Sequence, residues 1–331
     1  MLRILICLFI LCPILVANTI PEVPVFTQQL ESLRATKTPT HLILSGYLRK
    51  SMTIALYPKA MMHFKIEGVF LPHELPLQNG AIDYDSLQDF MTIFRNNPYL
   101  KTLIISDPYK QIIVDYLDTL VGGAKEIEVV NFIYKKDGQL IGEIKDGLAF
   151  LEGAQKEIEF DCEGKAMVFF GCGGVSSAIA LQLAPKLLKI GLVDINPEKR
   201  DKLYSVLKNM YPQKSICILD REAGPIDFSD FDIFYNGTGL GKFGQDPFSL
   251  KRSPLVEGDV FPETGFAIDA NYTPWQTQFL KQFESLQFKT LNGYSHMIAS
   301  TALHLSFISG MQINYHALKQ LLAPQQPTVL H

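Results

Sequence analysis

Five consecutive apolar residues, Ala166-Met167-Val168-Phe169-Phe170, run straight into Gly171-Cys172-Gly173-Gly174. An apolar run of that length without polar alternation reads as a strand buried on both faces, which requires helices on either side of a parallel sheet. A helix is expected from about Ser176 to Pro185, and a second apolar strand, Lys189 to Val193, closes on Asp194. Strand, glycine turn, helix and strand together make a βαβ unit. Glycines at the turn let the chain double back, and free N–H groups at the helix start can hold a pyrophosphate. The same cluster can also be a helix-start turn that binds nothing. Asp194 ends the second strand 23 residues after Gly171, where a carboxylate can take both ribose hydroxyls of an adenosine. It would also repel a 2′-phosphate, which favours NAD over NADP. Lys199 and Arg200, one helical turn further on, soften that preference.

At 331 residues the chain exceeds one typical domain, so two are expected. The first, from about 20 to 150, reads as mixed α/β. Strands are expected at His41–Ser45, Met61–Glu67 and Leu100–Ser106, with a helix at Tyr84–Asn96 spaced by Leu87, Phe90 and Phe94. Ile127–Ile133 and Leu140–Glu143 flank Asp137-Gly138 as a hairpin, and Gly147–Gln155 can be the helix linking the domains. The second domain, from 151 to 290, adds strands at Ile216–Leu219, Asp232–Tyr235 and Gly265–Asp269, and Ile298 to Leu322 is apolar at helical spacing.

Charge and cysteine usage narrow the partners. A formal net charge of −4, with no run of lysine and arginine, argues against nucleic acid. The five cysteines show no CxxC pair, and no His/Asp/Glu cluster has metal-ligand spacing, so neither a disulfide framework nor a metal is implied. Residues 1–19 combine a positive end with an apolar run from Ile4 to Ala17 broken by Pro13. That segment reads either as a secretory signal or as an anchor-like extension, and membrane contact follows only if it is retained. A cytoplasmic protein is expected, with export as the alternative.

Six short pieces, in order, resemble the shikimate/quinate dehydrogenase family from about residue 42 to 310. The family's S-x-S is similar to Ser51-Met52-Thr53, and its V-T-x-P-x-K to Ile105-Ser106-Asp107-Pro108-Tyr109-Lys110. A-V-N-T is similar to Val129-Val130-Asn131-Phe132, and G-x-N-T-D-G to the stretch from Gly142 to Asp146-Gly147. G-A-G-G-x-x-x-A resembles Gly171 to Ala178. Last come Asn236-Gly237-Thr238, Asp269 to Thr277 with Tyr272, and Asn292-Gly293.

The chain also departs from that pattern. Asp194-Ile195-Asn196 stands where a basic N-R-T commonly holds the NADP phosphate, and Ile144-Lys145 replaces the N-T of N-T-D-G. Ile54 stands where a proline follows S-x-S. The family's substrate-contacting glutamine falls on Ser300, whose shorter side chain reaches less far.

The resemblance implies a three-layer α/β substrate domain, a Rossmann-type NAD(P)-binding domain with a parallel sheet, and C-terminal helices (291–331) packing back on the substrate domain. It implies reversible NAD(P)-linked oxidation of shikimate, or of quinate or another cyclic polyol, with a catalytically silent ligand-binding homologue as the rival reading. The implied partners are a small cyclic hydroxy acid and, for assembly, a second copy as a homodimer. Lys110 and Asp146 are the implied acid–base pair, the lysine supplying the proton and the carboxylate orienting it. With an ordinary lysine pKa of about 10, a functional Lys110 is expected to be buried in the cleft. Ser51, Thr53 and Ser106 offer hydroxyls to a substrate carboxylate, or cap turns. Asn131 can hold ring hydroxyls or form a turn. Tyr272 closes the pocket from the nucleotide side or edges the core, and Ser300 remains from the polyol contacts. Gly171, Gly173, Gly174, Asp194, Asn196, Asn236, Thr238 and Gly241 form the expected cofactor set. The seven histidines read as packing or surface.

Overall fold

The computed structural model describes residues 26–48, 51–242 and 248–322. The first nineteen residues, with Cys7 and Cys12, lie outside that range. Among the described residues no helix is long and apolar enough to cross a membrane.

The chain begins with α1 (Phe26–Ala35), β1 (Thr40–Ser45), α2 (Met52–His63), β2 (Val69–Glu74), α3 (Tyr84–Asn96) and β3 (Leu100–Ile105). It continues through β4 (Thr119–Leu120), α4 (Ala124–Ile127), β5 (Phe132–Lys136), β6 (Gln139–Glu143) and α5 (Asp146–Ile158). The strands form a mixed sheet in the order β2-β1-β3-β5-β6-β4. All six residues of β1 are buried because both faces are covered. Leu42 and Leu44 point to the cluster with Leu87, Phe90 and Phe94 of α3, whereas Ile43 points to a second cluster with Leu56 and Tyr57 of α2. Asp83 caps α3 by accepting from the Ser86 N–H at 3.0 Å.

Two expectations need correction here. Met61–Glu67 is not a strand: Met61 to His63 close α2, whose buried Leu56, Tyr57, Ala60 and Met61 follow helical spacing. The strand lies later, at β2, and Pro72 within it is tolerated because β2 is a sheet edge. The hairpin is β5–β6, turning at Asp137 (φ 51°) and Gly138 (φ 78°), while Ile127 belongs to α4 rather than to a strand. The C-terminal apolar stretch is two helices, α9 and α10 below, separated where Gly310 takes φ 67°.

The second unit runs β7 (Ala166–Phe170), α6 (Gly174–Leu183), β8 (Lys189–Val193), α7 (Pro197–Met210), β9 (Ser215–Ile218), β10 (Ile233–Asn236), β11 (Phe266–Asp269), α8 (Gln278–Ser285) and β12 (Lys289–Leu291). Its sheet is wholly parallel, in the order β12-β11-β10-β7-β8-β9. The chain runs outward from β7 to one edge and, from β10, outward to the other. This is the doubly wound order, with its switch point between β7 and β10. Met167 and Phe169 enter the core on one face of β7, and Val168 and Phe170 enter the core on the other.

The chain then returns to the first unit. Helix α9 (Tyr294–Ser309) lays Met297, Ile298, Ala302 and Leu305 against Ile43, Ile104 and Phe132, and α10 (Tyr315–Leu322) completes that cluster with Leu318 and Leu322. Each large apolar side chain so buried is worth about 1.5–3 kcal/mol. Helices α5 and α9 touch at Gly153, where an added Cβ would lie 2.7 Å from the Ser295 carbonyl oxygen.

Candidate active site

The carboxyl ends of both sheets meet where β3, β6 and α5 converge. Lys110 follows β3, and its backbone carbonyl accepts from the Val130 N–H at 2.8 Å. Asp146 opens α5, where a negative side chain suits the helix N-terminus. The Lys110 Nζ donates to Asp146 Oδ2 at 2.7 Å, with the two side chains only 13% and 6% exposed. Asn131 Nδ2 donates to Asp146 Oδ1 at 2.7 Å, and Asn131 Oδ1 accepts from the Lys145 N–H at 2.9 Å. The amide orientation of Asn131 is therefore fixed by the backbone.

Electrostatics tie the pair into one unit. Burial alone pulls the Lys110 ammonium down, but Asp146 and Asp107 outweigh it and the net direction is up. Burial pushes Asp146 up, but Lys110, with help from His296, holds its carboxyl well below the ordinary range. Lys110 is thus buried as expected, yet its proton is held more tightly than in a free lysine.

His296 is the group that sequence reasoning missed. Its Nε2 lies 3.5 Å from Asp146 Oδ1, on the opposite oxygen from Lys110, with the side chain 14% exposed. Ser300 sits one helical turn further along α9, half-buried and without a side-chain hydrogen bond among the described residues. Lys145 reaches Glu143 at 2.7 Å and lies over the rings of Phe132 (5.6 Å) and Phe307 (5.5 Å). A second histidine, His304, is bonded through Nδ1 to the Tyr57 hydroxyl at 2.8 Å, and burial lowers its pKa to about 3.

The hydroxyl candidates cluster around the start of α2 and the end of β3. Ser51 is the N-cap of α2 but makes no side-chain capping bond, so its hydroxyl is not spent on the helix. Tyr272, after β11, comes to it from the second unit: burial raises the phenol, and hydrogen bonds to the Met52 backbone and the Ser51 side chain partly offset this. Thr53 lies in the first turn of α2 and Ser106 directly after β3, both half-buried.

The glycine loop lies at the switch point. Gly171 takes φ 84°, and a Cβ there would come within 3.0–3.1 Å of Gly237 and Thr238. A Cβ on Gly173 would meet nothing within 4 Å, so the loop leaves open space before the N-terminus of α6. A Cβ on Gly174 would lie 2.8 Å from the Val129 side chain of the first unit. Turn, open cradle and close packing are the three uses of glycine in a pyrophosphate-binding loop, and these residues fit a dinucleotide.

Asp194 braces this loop, its Oδ2 accepting from the Cys172 N–H at 2.6 Å and its Oδ1 from the Asn196 N–H at 2.8 Å. Two of the expected cofactor residues do other work. Asn236 is fully buried, with Nδ2 donating to Asp269 at 2.9 Å and Oδ1 accepting from the Thr238 hydroxyl at 2.6 Å. It shapes the loop carrying Thr238 and has no surface to offer a ligand. Asn196 caps α7 by accepting from the Lys199 N–H at 3.2 Å. Thr238 also accepts from the Leu240 N–H, and Gly241 takes φ 84° in the same loop. Asp269 anchors the network with bonds from Asn236, Asn271 and Thr277, although burial still raises its carboxyl to about 6.

Residues 43–133 match the family model for the shikimate dehydrogenase substrate binding domain. The chain is 25% identical over 265 residues to shikimate dehydrogenase (NADP(+)) of Streptococcus suis, covering 78% of this chain and 87% of that one. It is 31% identical over 226 residues to quinate/shikimate dehydrogenase of Escherichia coli O139:H28, covering 66% of this chain and 76% of that one. Among solved structures, a shikimate dehydrogenase in complex with NADP+ superposes with a TM-score of 0.77 at 21% identity, covering 88% of this chain and 97% of the other.

Proposed function

The chain belongs to the shikimate/quinate dehydrogenase family, and on that premise we propose that it interconverts 3-dehydroshikimate and shikimate with Lys110 and Asp146 as its acid–base pair. As a member of that family it is an NAD(P)-dependent oxidoreductase acting on a CH–OH group. The observation that carries the reading is the buried 2.7 Å Lys110–Asp146 contact beside Asn131.

Gly171, Gly173, Gly174 and Asp194 would hold a dinucleotide, which when bound would supply or take up the hydride. The side chains around it manage the proton and the substrate. At neutral pH Lys110 is an ammonium, so it is ready to protonate the carbonyl oxygen in the direction of reduction. Asp146 holds that ammonium in place and, through its second oxygen, is itself held by Asn131 and His296. Ser51, Thr53 and Ser106 offer hydroxyls to the substrate carboxylate, and Tyr272 closes over Ser51 from the nucleotide side. In the direction of oxidation Lys110 must first lose its proton, so that rate should climb with pH.

The Asp194 carboxylate at the end of β8 supports NAD over NADP. Quinate is the second reading for the substrate, favoured by the short side chain of Ser300 where the resemblance puts a longer, substrate-contacting glutamine. The test follows reduced-nicotinamide absorbance with shikimate and with quinate, each paired with NAD and with NADP. Turnover with shikimate that Lys110→Ala abolishes supports the proposal. Turnover with quinate alone moves the substrate to the second reading, and turnover that survives Lys110→Ala rejects the acid–base assignment.

A further inference from the structure

A cavity of about 680 Å³ opens at the end of the first sheet opposite to the acid–base pair. His41, Lys101 and Thr102, at the starts of β1 and β3, line it together with Tyr134, Lys135 and Lys136 at the end of the antiparallel β5. Thr102 and Ser106 are separated by four residues of strand, roughly 13 Å.

Three features make this more than a surface groove. The floor is polar where the sheet should be apolar. His41 and Thr102 are each 5% exposed and joined Nδ1 to Oγ1 at 2.8 Å, on the face that Ile43 and Ile104 occupy two residues later. A buried polar pair in a strand row costs stability unless it is hydrogen-bonded, and here it is bonded and opens onto a cavity. Burial lowers the His41 imidazole to about 4, so the floor is uncharged near neutral pH.

The rim is basic and unpaired. Lys65, Lys101 and Lys136 stand on it with Glu67 as the one carboxylate, three positive charges against one negative in a chain whose net charge is −4. None of the three forms an ion pair among the described residues; Lys135, which also borders the cavity, turns its ammonium away to the carbonyls of Asn97 (2.7 Å) and Arg95 (3.2 Å) and over the ring of Phe94 (4.8 Å). A concave site lined by one sign of charge focuses potential on its interior. The wall is aromatic, with the rings of Tyr134 and Phe307 4.6 Å apart.

We propose that this cavity is a second ligand site, distinct from the catalytic cleft, for a small dianion carrying a flat ring. The lysine rim takes its carboxylate or phosphate charge, the Tyr134–Phe307 wall takes the ring, and the His41–Thr102 floor meets a polar substituent. Nothing in this depends on which reaction the cleft performs.

The test is calorimetric titration of the full chain with phenyl phosphate at low ionic strength. Inorganic phosphate (charge without ring) and benzyl alcohol (ring without charge) serve as comparison probes. Saturable binding of phenyl phosphate is expected, tighter than for either comparison probe. The doubly substituted Lys101→Glu/Lys136→Glu protein should bind at least about tenfold more weakly, and Lys110→Met should bind as the wild type does. Both rim positions are exposed, and an unchanged thermal midpoint checks that the double variant is folded. If it is not, Lys136→Ala alone should weaken binding about threefold. Absence of saturable binding, undiminished binding in the rim variants, or loss of binding in Lys110→Met would each overturn the proposal.

Discussion

Asp146→Asn is nearly isosteric, and its cost can be worked from the contacts on each side of the carboxylate. Asn131 cannot turn its amide, because Lys145 N–H holds Asn131 Oδ1 at 2.9 Å, so it presents Nδ2 to position 146. Lys110 presents an ammonium 2.7 Å from the other oxygen. The new amide has one acceptor for these two donors. If its oxygen faces Asn131, its NH₂ faces a buried cation. Removing one member of a buried pair costs about 3–5 kcal/mol. An independent ceiling comes from letting Lys110 shed its proton: from a free-lysine pKa of about 10.4 to pH 7 that costs about 4.6 kcal/mol at 1.36 kcal/mol per unit. The two figures agree. The escape route becomes cheap at high pH, so the destabilisation seen in urea titrations should shrink from about 3–5 kcal/mol at pH 7 to about 1 kcal/mol at pH 10. Wild type should lose little over that range, because Lys110 is raised above its ordinary value in the folded state. Activity should fall by about 10²–10⁴ in kcat. A loss below about 1 kcal/mol at pH 7, or one that does not change with pH, would show that the pair is solvated and the argument wrong.

Other perturbations probe neighbouring parts. His296→Gln keeps a hydrogen-bonding side chain beside Asp146 but loses the imidazole that stands 3.5 Å from its Oδ1, and kcat should drop about tenfold with KM changing less. An unchanged kcat would leave His296 a packing residue. Gly153→Ala gains about 1 kcal/mol of helix propensity, but its Cβ would press on the Ser295 carbonyl at 2.7 Å. Overpacking of about 1–3 kcal/mol should win, and a raised thermal midpoint would contradict the close α5–α9 contact. Asp194→Ala removes the acceptor for the Cys172 N–H, so KM for NAD should rise about tenfold and the NAD:NADP preference should fall; an unchanged preference would reduce Asp194 to a loop brace. The lowered carboxyl of Asp146 adds stability that is full above about pH 4 and is lost as pH falls towards its folded-state value. Lys110→Met should therefore unfold with a shallower acid dependence than wild type, and parallel acid-unfolding curves would reject this.

What was legible in the sequence follows from which forces act locally. Ala166 to Phe170 could be read as a two-faced buried strand because every residue answers to the same burial, whichever neighbour supplies it. Helix α3 was readable to its ends because its apolar spacing and the turn before it are local. Strand β2 was hidden by Pro72, whose tolerance depends on an edge position that only the assembled sheet defines. Asn236 read as a ligand contact because its neighbours match a motif, while its burial against Asp269 is a property of the packed sheet. His296 carried no local signal, since the partner that gives it meaning lies 150 positions earlier.

The return of α9 to the first sheet also bears on how the chain can be made. Ile43, Ile104 and Phe132 are all synthesised before α9, which completes the cover that α2 begins. Between Glu143 and Tyr294 lie 150 residues, which at ribosomal speed means roughly 8–30 s during which that face is only partly covered, by α2. The first unit therefore cannot finish folding in the order it emerges. It waits as an unfinished layer until the second unit has been translated, and any helper that shields apolar surface on nascent chains has its window there.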